Sequence, residues 1–439
     1  MRKVDDSYCL VLSGGGAKGV YHIGAWKALK ELGVSVDAFI GNSIGAIIAG
    51  FLAQGADEEL EKIGRDIGLD FILAMPKGLV REGEFRLDEG SFKAFMEFNR
   101  SVLSRKSLDT SPLRQHLAEN LDESRIRSGG KDLGVVTINA TDMKPVEIFI
   151  DDMPKGTLLD YLLASSAFPG FDSPVIGGKK YVDGGFFNNI PWSMAQRRGY
   201  RNIIVIDISG VGIKRKLEIE GYRIVYIKNS MDMGGALDFN RDFLDRYSML
   251  GYLDTMRTFG RLDGYHYFFE RDVALEDRWR RRFLGMLASG DLADPLGTVS
   301  DGGDADAGTL VRRAFPDYAR FDRRWLLVFA DCAALCLGLE RIRSWTYPDV
   351  IEAILAAVRV VERDLENLAA DGAGELRHIL AQDIKDRKST RLPYYQYLFV
   401  ARHLTGKSRR LTIRLLLRLN PELATAILFI AALNNPAGR

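Results

Sequence analysis

Hydrophobic positions in the first sixty residues fall into short blocks separated by glycine. Tyr8 to Ser13 is one apolar run, with the length and composition of a strand buried on both faces. It meets Gly14-Gly15-Gly16, after which Tyr21, Ala25, Ala28 and Leu29 recur at helical spacing as far as Gly33. A second strand is predicted over Val36 to Ile40. It breaks at Gly41-Asn42-Ser43, and an apolar helix is predicted from Ile44 to Ala53, ending near Gly55. Strand, turn and helix, repeated, is the pattern of parallel βαβ construction.

Beyond this, Ser111-Pro112 predicts a helix start, with the serine as cap and the proline in the first turn. Strands are expected at Gly134 to Asn139, Val146 to Ile150, Asn202 to Ile208 and Tyr222 to Ile227, and a helix at Leu158 to Ser165. Helical periodicity dominates from about residue 237, interrupted by a stretch rich in Gly, Asp and Ser from Ala288 to Gly308 that reads as a flexible connector. The expected organisation is an α/β domain over 1–287, the connector over 288–308 and an all-helical region over 309–439, without internal repeats.

Composition narrows this picture only a little. The 439 residues are 46% hydrophobic, which permits a substantial core, and the net charge of +1 gives no global reason to expect a nucleic-acid partner. Three cysteines (Cys9, Cys332, Cys336) are too few for a disulfide framework or a zinc site, and Cys332 and Cys336 lie in an apolar run that reads as packing. That usage points to a reducing, cytoplasmic compartment. The N-terminus lacks the pattern of a signal peptide, and no run reaches the roughly 20 apolar residues of a membrane span. Contact with a membrane is therefore expected to be peripheral.

Three motifs carry chemistry. Gly41-Asn42-Ser43-Ile44-Gly45 is a GxSxG turn between a strand and a helix. A serine there is forced out of the sheet edge, and Gly41 and Gly45 keep side chains away from neighbouring backbone. The following helix aims its first amides at developing negative charge. Ser13-Gly14-Gly15-Gly16-Ala17-Lys18-Gly19 also joins a strand to a helix; the amides of Gly14, Gly15 and Gly16 can converge on an oxyanion, with Lys18 as loop support or a solvated first-turn residue. Tyr181-Val182-Asp183-Gly184-Gly185 ends a strand in a carboxylate on a glycine turn, which lets Asp183 approach a hydroxyl closely.

Together these motifs resemble the patatin-like phospholipase family, whose pattern is a glycine-rich loop, a GxSxG elbow and a distant Asp-Gly-Gly or Asp-Gly-Ala. Ala164-Ser165-Ser166-Ala167-Phe168-Pro169 and Asn188-Asn189-Ile190-Pro191 look like family features flanking the aspartate, and the likeness covers Tyr8 to Ile208. It implies a three-layer α/β/α fold with a mainly parallel central sheet, and a Ser43–Asp183 dyad with no histidine, metal or cofactor. The activity implied is hydrolysis of lipid esters through an acyl-enzyme. Many members carry Arg where Lys18 stands, so bidentate anion contact would be lost here. An aspartate of ordinary pKa, about 3.9, is a weak base at neutral pH, so either proton transfer is concerted with attack or burial raises that pKa.

Three other readings compete. An ordinary α/β-hydrolase needs a histidine after its acid, for which His266, His378 and His403 are available, but only one strand–helix unit precedes Ser43. Gly14-x-Gly16-x-x-Gly19 formally satisfies a dinucleotide fingerprint, yet the second strand ends without the acidic residue that fingerprint requires. A silent scaffold on the same fold is opposed by the intact Ser43 and Asp183. In the C-terminal part, Arg410, Arg414 and Arg418 stripe a leucine-rich segment around Leu411 to Leu419, which suits either a bundle helix or a helix resting on anionic lipid. Trp325 to Leu339 and Val350 to Val360 read most simply as bundle core, with the walls of an acyl tunnel or a lid over Ser43 as the alternatives. Asp232, Asp238 and Asp242 read as capping residues rather than a metal site. Head group, chain length and oligomeric state are not legible.

Overall fold

The computed structural model describes residues 7–76, 79–81, 84–85, 102, 104, 107–216, 219–289, 324–371, 394–395, 397–398 and 419–434. The chain divides into two compact units, Met1–Phe259 and Gly260–Arg439.

The first unit is built on an eight-stranded sheet. Along the chain it contains β1 (Tyr8–Leu12), α1 (Val20–Glu31), β2 (Val36–Asn42), α2 (Ile44–Gln54), α3 (Asp57–Asp66), α4 (Ser111–Asn120), β3 (Asp132–Asn139), β4 (Lys144–Phe149), α5 (Leu158–Ser165), β5 (Val175–Ile176), β6 (Lys179–Asp183), β7 (Asn202–Asp207), β8 (Arg223–Lys228) and α6 (Arg241–Thr258). The sheet order is β8-β7-β1-β2-β3-β6-β5, with β4 also paired to β3. From β8 to β3 all neighbours are parallel; β4, β6 and β5 continue antiparallel. The central strands are apolar throughout because both faces are covered: every residue of β1 is buried, as are the last five of β7.

Register places the chemistry. Leu12 at the end of β1 lies beside Gly41 of β2, so the glycine-rich turn and the serine turn leave the sheet side by side at the carboxyl ends of parallel strands. Asp183 pairs with Thr137 of β3, which brings the far end of β6 to the same edge. α2 is buried nearly all round and stops at Gly55 in the left-handed conformation, φ 72°. α1 and α6 cross closely through paired glycines: a Cβ on Gly24 would sit 1.7 Å from the Ser248 carbonyl oxygen, and one on Gly251 would sit 2.1 Å from that of Tyr21.

The predicted elements of this unit are all present, with shifted ends. One local reading changes: Thr110, not Ser111, is the N-cap of α4, and Ser111 is already helical, its amide donating to the Asp109 carboxylate at 2.9 Å.

Among its described residues the second unit holds three short strands, β9 (Leu262–Asp263), β10 (Phe268–Glu270) and β11 (Ser344–Trp345), and the helices α7 (Val273–Ser289), α8 (Trp325–Leu337), α9 (Tyr347–Asp371) and α10 (Pro421–Asn434). Its core joins Trp279, Phe283, Phe329, Tyr347 and Phe429. Because α7 is part of that core, the division after Phe259 precedes the composition shift expected at 288–308, and residues 290–308 of that connector lie outside the described residues. Among the described residues from 324 onward, the regular elements are helices apart from β11. Cys332 and Cys336 are buried free thiols. The arginine stripe Arg410, Arg414 and Arg418 lies outside the described residues.

Candidate active site

Ser43 occupies the turn between β2 and α2 with φ 54° and ψ −128°, a backbone state rarely taken by residues other than glycine. Its neighbours make the turn sterically feasible. A Cβ on Gly41 would lie 2.2 Å from the Gly45 carbonyl oxygen, and a Cβ on Gly45 would lie 2.5 Å from that of Leu12. The Ser43 amide donates to the Ser165 hydroxyl at 2.9 Å, and its carbonyl accepts from Ala46 at 2.9 Å, opening α2. Ser165 is fully buried at the end of α5, so the elbow is held from the helix that packs beneath it.

Asp183 ends β6, is only 4% exposed, and receives neutral donors. The Gly185 amide donates to Oδ1 at 2.7 Å, Asn42 Nδ2 donates to the same oxygen at 3.4 Å, and the Ser43 hydroxyl lies on the same cavity wall. Burial pushes its pKa above the ordinary carboxylate value, and these neighbours pull only part of the way back. Gly184 is obligatory here, since a Cβ would come within 2.4 Å of Asn42 Oδ1 and 2.5 Å of the Val136 carbonyl oxygen.

The glycine-rich loop faces this pair. The Gly14 amide is already engaged, by the side chain of Asn189 at 3.2 Å and its carbonyl at 3.3 Å. Asn189 Nδ2 returns bonds to the Gly14 and Gly210 carbonyls at 3.3 and 3.4 Å. The amide of Ala17 is held by the Ala236 carbonyl at 2.8 Å. This leaves the amides of Gly15 and Gly16 without a protein acceptor among the described residues, so the expected trio of donors reduces to two. Gly16 needs its φ of +62°, and a Cβ there would lie 2.1 Å from the Ala236 carbonyl oxygen.

Behind the loop, His22 Nε2 donates to the Ser13 carbonyl at 2.9 Å, and the Ile208 amide donates to the Ser13 hydroxyl at 3.0 Å. Burial lowers the His22 pKa to about 4, against the opposing pull of the Ser13 hydrogen bond and the Asp207 charge. Its Nδ1 is buried without a partner, consistent with a neutral ring. Lys18 is 9% exposed, forms no ion pair among the described residues and does not line the cavity described next, which leaves it a packing role at the loop.

Ser43, Asp183 and Gly14 to Gly16 line one wall of a cavity of about 960 Å³. The other walls come mainly from α2, α3 and α4: Ile44, Ile47, Ile48, Phe51, Leu60, Ile63, Leu113 and Leu117. Among the described residues no Lys or Arg lines it, and the one lining histidine, His116, is stacked on Phe71 at 4.0 Å rather than bonded to Ser43 or Asp183. Such a site offers a hydroxyl, a carboxylate of raised pKa and two spare amides beside an apolar chamber. Among the described residues no group of three His, Cys, Asp or Glu is placed to hold a metal ion. Asp232 and Asp238 accept amides of their own turns, from Gly234 and Asn240. His266 belongs to the second unit, while His378 and His403 lie outside the described residues.

Sequence reasoning singled out the serine, the aspartate and the glycines, but gave no role to Asn42, Asn189, Ser165 or His22. The last four act through partners distant along the chain. A polar residue in an apolar segment, such as His22 in α1 or Ser165 in α5, was the one local signal available.

Residues 10–195 match the family model for patatin-like phospholipase. Among curated proteins, the chain is 28% identical over 209 residues to lysophospholipase NTE1 of Cryptococcus neoformans var. neoformans, covering 46% of this chain and 11% of that protein. It is 29% identical over 207 residues to human patatin-like phospholipase domain-containing protein 6, covering 46% of this chain and 13% of that protein. The matched part is thus a small fraction of those relatives' length. Among solved structures, VipD from Legionella pneumophila aligns over 98% of this chain and 93% of its own, at a TM-score of 0.36 and 15% identity.

Proposed function

We propose that this chain, whose residues 10–195 match the patatin-like phospholipase family model, is a lipid acyl hydrolase that cleaves carboxylic esters with Ser43 and Asp183. The observation that carries the reading is Ser43, a buried carboxylate of raised pKa and the glycine-rich loop with two spare amides on one wall of an apolar cavity. Asp183 takes the hydroxyl proton as Ser43 Oγ attacks the ester carbonyl. The amides of Gly15 and Gly16 receive the oxyanion, the proton passes to the departing alcohol, and the acyl group stays on Ser43. Water then gives a proton to Asp183 and attacks the acyl-enzyme, releasing a fatty acid and restoring the serine.

A methylene occupies roughly 30 Å³, close to the share of one water molecule in the liquid, so a cavity of about 960 Å³ has room for one long acyl chain. The absence of Lys and Arg from its described lining favours binding by the chain rather than by a phosphate group. In this reading Lys18, Gly41, Gly45, Gly184 and Gly185 shape the turns, and Asn189 and Ser165 hold them. The chemistry belongs to the first unit, and no role is assigned to the helical second unit.

The test is labelling of the purified chain with a serine-directed fluorophosphonate, followed by peptide mapping. The expected adduct is on Ser43, absent in Ser43→Ala and strongly reduced in Asp183→Ala. A well-folded chain that gives no adduct, with or without lipid vesicles, would sink the proposal and leave the silent scaffold.

A further inference from the structure

Large apolar side chains rarely gather in solvent without a partner. Four residues line the catalytic cavity and are also exposed, which marks them as its mouth: Phe168 (47%), Phe186 (48%), Val211 (86%) and Leu237 (56%). The rings of Phe168 and Phe186 lie 6.2 Å apart between centroids, so the rim is continuous on that side. Ile213 extends it at 55% exposure, on a segment anchored by its amide to the Gly185 carbonyl at 2.9 Å. These residues come from separate turns, after α5, after β6, after β7 and before α6, so no single loop explains their exposure.

Charge is arranged to match. Cations are missing from the described lining of the cavity but follow the rim immediately in sequence, at Lys214, Arg215 and Lys216. Lys214 is neutralised against Asp207 at 2.8 Å, and Arg215 lies over the Phe187 ring at 4.1 Å. Lys216 is exposed and has no ion-pair partner among the described residues. An apolar ring with cations on its flank fits a surface that presents acyl chains beneath phosphates.

Building on the hydrolase reading above, we infer that this rim is a docking surface for a lipid bilayer, with Val211 and Leu237 entering the acyl region and Lys216 meeting anionic headgroups. A substrate then passes from bilayer to cavity by its acyl end. Its phosphate stays at the mouth, because the described lining of the chamber offers no cation to pair with it. This places membrane contact on the catalytic unit, independently of the arginine stripe near the C-terminus.

The experiment is flotation of the full chain, as Ser43→Ala to prevent turnover, with phosphatidylcholine vesicles with and without phosphatidylglycerol. Val211→Asp combined with Leu237→Asp is expected to lower partitioning roughly tenfold or more on both vesicles, since each exchanges exposed apolar area for a charge. Lys216→Glu should weaken binding to the anionic vesicles alone. Thermal melting checks that the aspartate pair folds, and Val211→Ser with Leu237→Ser, which removes apolar area without adding charge, should give an intermediate loss. Binding that neither pair reduces, or no binding by the parent chain, overturns the inference. So does a dimer in solution that the aspartate pair dissociates, which would assign the patch to a second copy. Fluorophosphonate labelling without vesicles reads the hydrolase proposal separately. Ser43 labelled with no vesicle binding refutes docking and leaves the hydrolase standing, whereas rim-dependent binding with no labelling refutes the hydrolase and leaves the surface.

Discussion

Asp183 and Asp207 are both the last residue of a strand, both are almost fully buried, and they are held in opposite states. Burial raises the pKa of each. At Asp207 that is overcome by hydrogen bonds from Lys214 (2.8 Å), Tyr226 (2.7 Å) and the Ser209 amide (2.8 Å), together with the Lys214 charge, and its carboxyl lies below the ordinary range. Asp183 has only uncharged donors, and its pKa stays raised. The difference teaches that burial does not make a base. On the proposed mechanism, what leaves Asp183 able to take a proton is that no cation is set against it among the described residues.

That contrast breaks most visibly on replacement of Asp183. Asp183→Asn should lower the rate of fluorophosphonate labelling on the order of 1000-fold. It should also leave the melting temperature unchanged or higher, because a carboxylate whose folded pKa is raised costs stability at every pH above that value. A melting temperature several degrees lower would contradict the assignment. In the parent chain, labelling should rise with pH through the raised Asp183 pKa and then level off, since the protonated acid cannot accept a proton.

The next largest effect concerns His22, whose neutral ring holds the Ser13 carbonyl. Its folded pKa of about 4 lies below the ordinary 6.5, so its contribution is complete above 6.5 and is lost as the pH falls toward 4, amounting to about 3 kcal/mol. His22→Gln should flatten the stability profile across that window in denaturant titrations. Asp207 provides the converse test at lower pH. Its lowered pKa stabilises the fold above the ordinary carboxylate value and stops doing so as the pH falls through the lowered one. Asp207→Asn should cost about 1–2 kcal/mol rather than the full loss of a buried pair, because Lys214 is partly exposed and can turn to water. Labelling at Ser43 should barely change. The smallest effect is expected from Ser165→Ala, which removes the acceptor of the Ser43 amide and should slow labelling roughly tenfold, about 1.4 kcal/mol.

Much of the site was legible because its parts are contiguous. Ser43 and its glycines sit within five residues, and Asp183 is followed directly by Gly184 and Gly185, so local sterics wrote those motifs into adjacent positions. Asn189 could not be assigned a role in the same way, because its acceptors and donors at Gly14 lie 175 residues away and only the sheet brings them together. The same holds for Ser165, 122 residues from the amide it receives. Spending of the Gly14 amide on Asn189 was equally invisible, so three consecutive glycines read as three donors. In the second unit, two- and three-residue strands are too short to leave a period in the sequence. The division after Phe259 was hidden because α7 reads as an ordinary helix, and its membership of the second core depends on Trp279 and Phe283 finding Phe429 and Phe329.

The knot of bonds between Asn189 and Gly14 also sets a schedule. Ser43 and its turn emerge early in synthesis, whereas Asn189, which shapes the facing loop, follows almost 150 positions later and Asp183 only six positions before it. On the proposed mechanism a nascent chain ending between these points holds the serine without its proton acceptor, and competence to attack an ester would arrive only with the last of them.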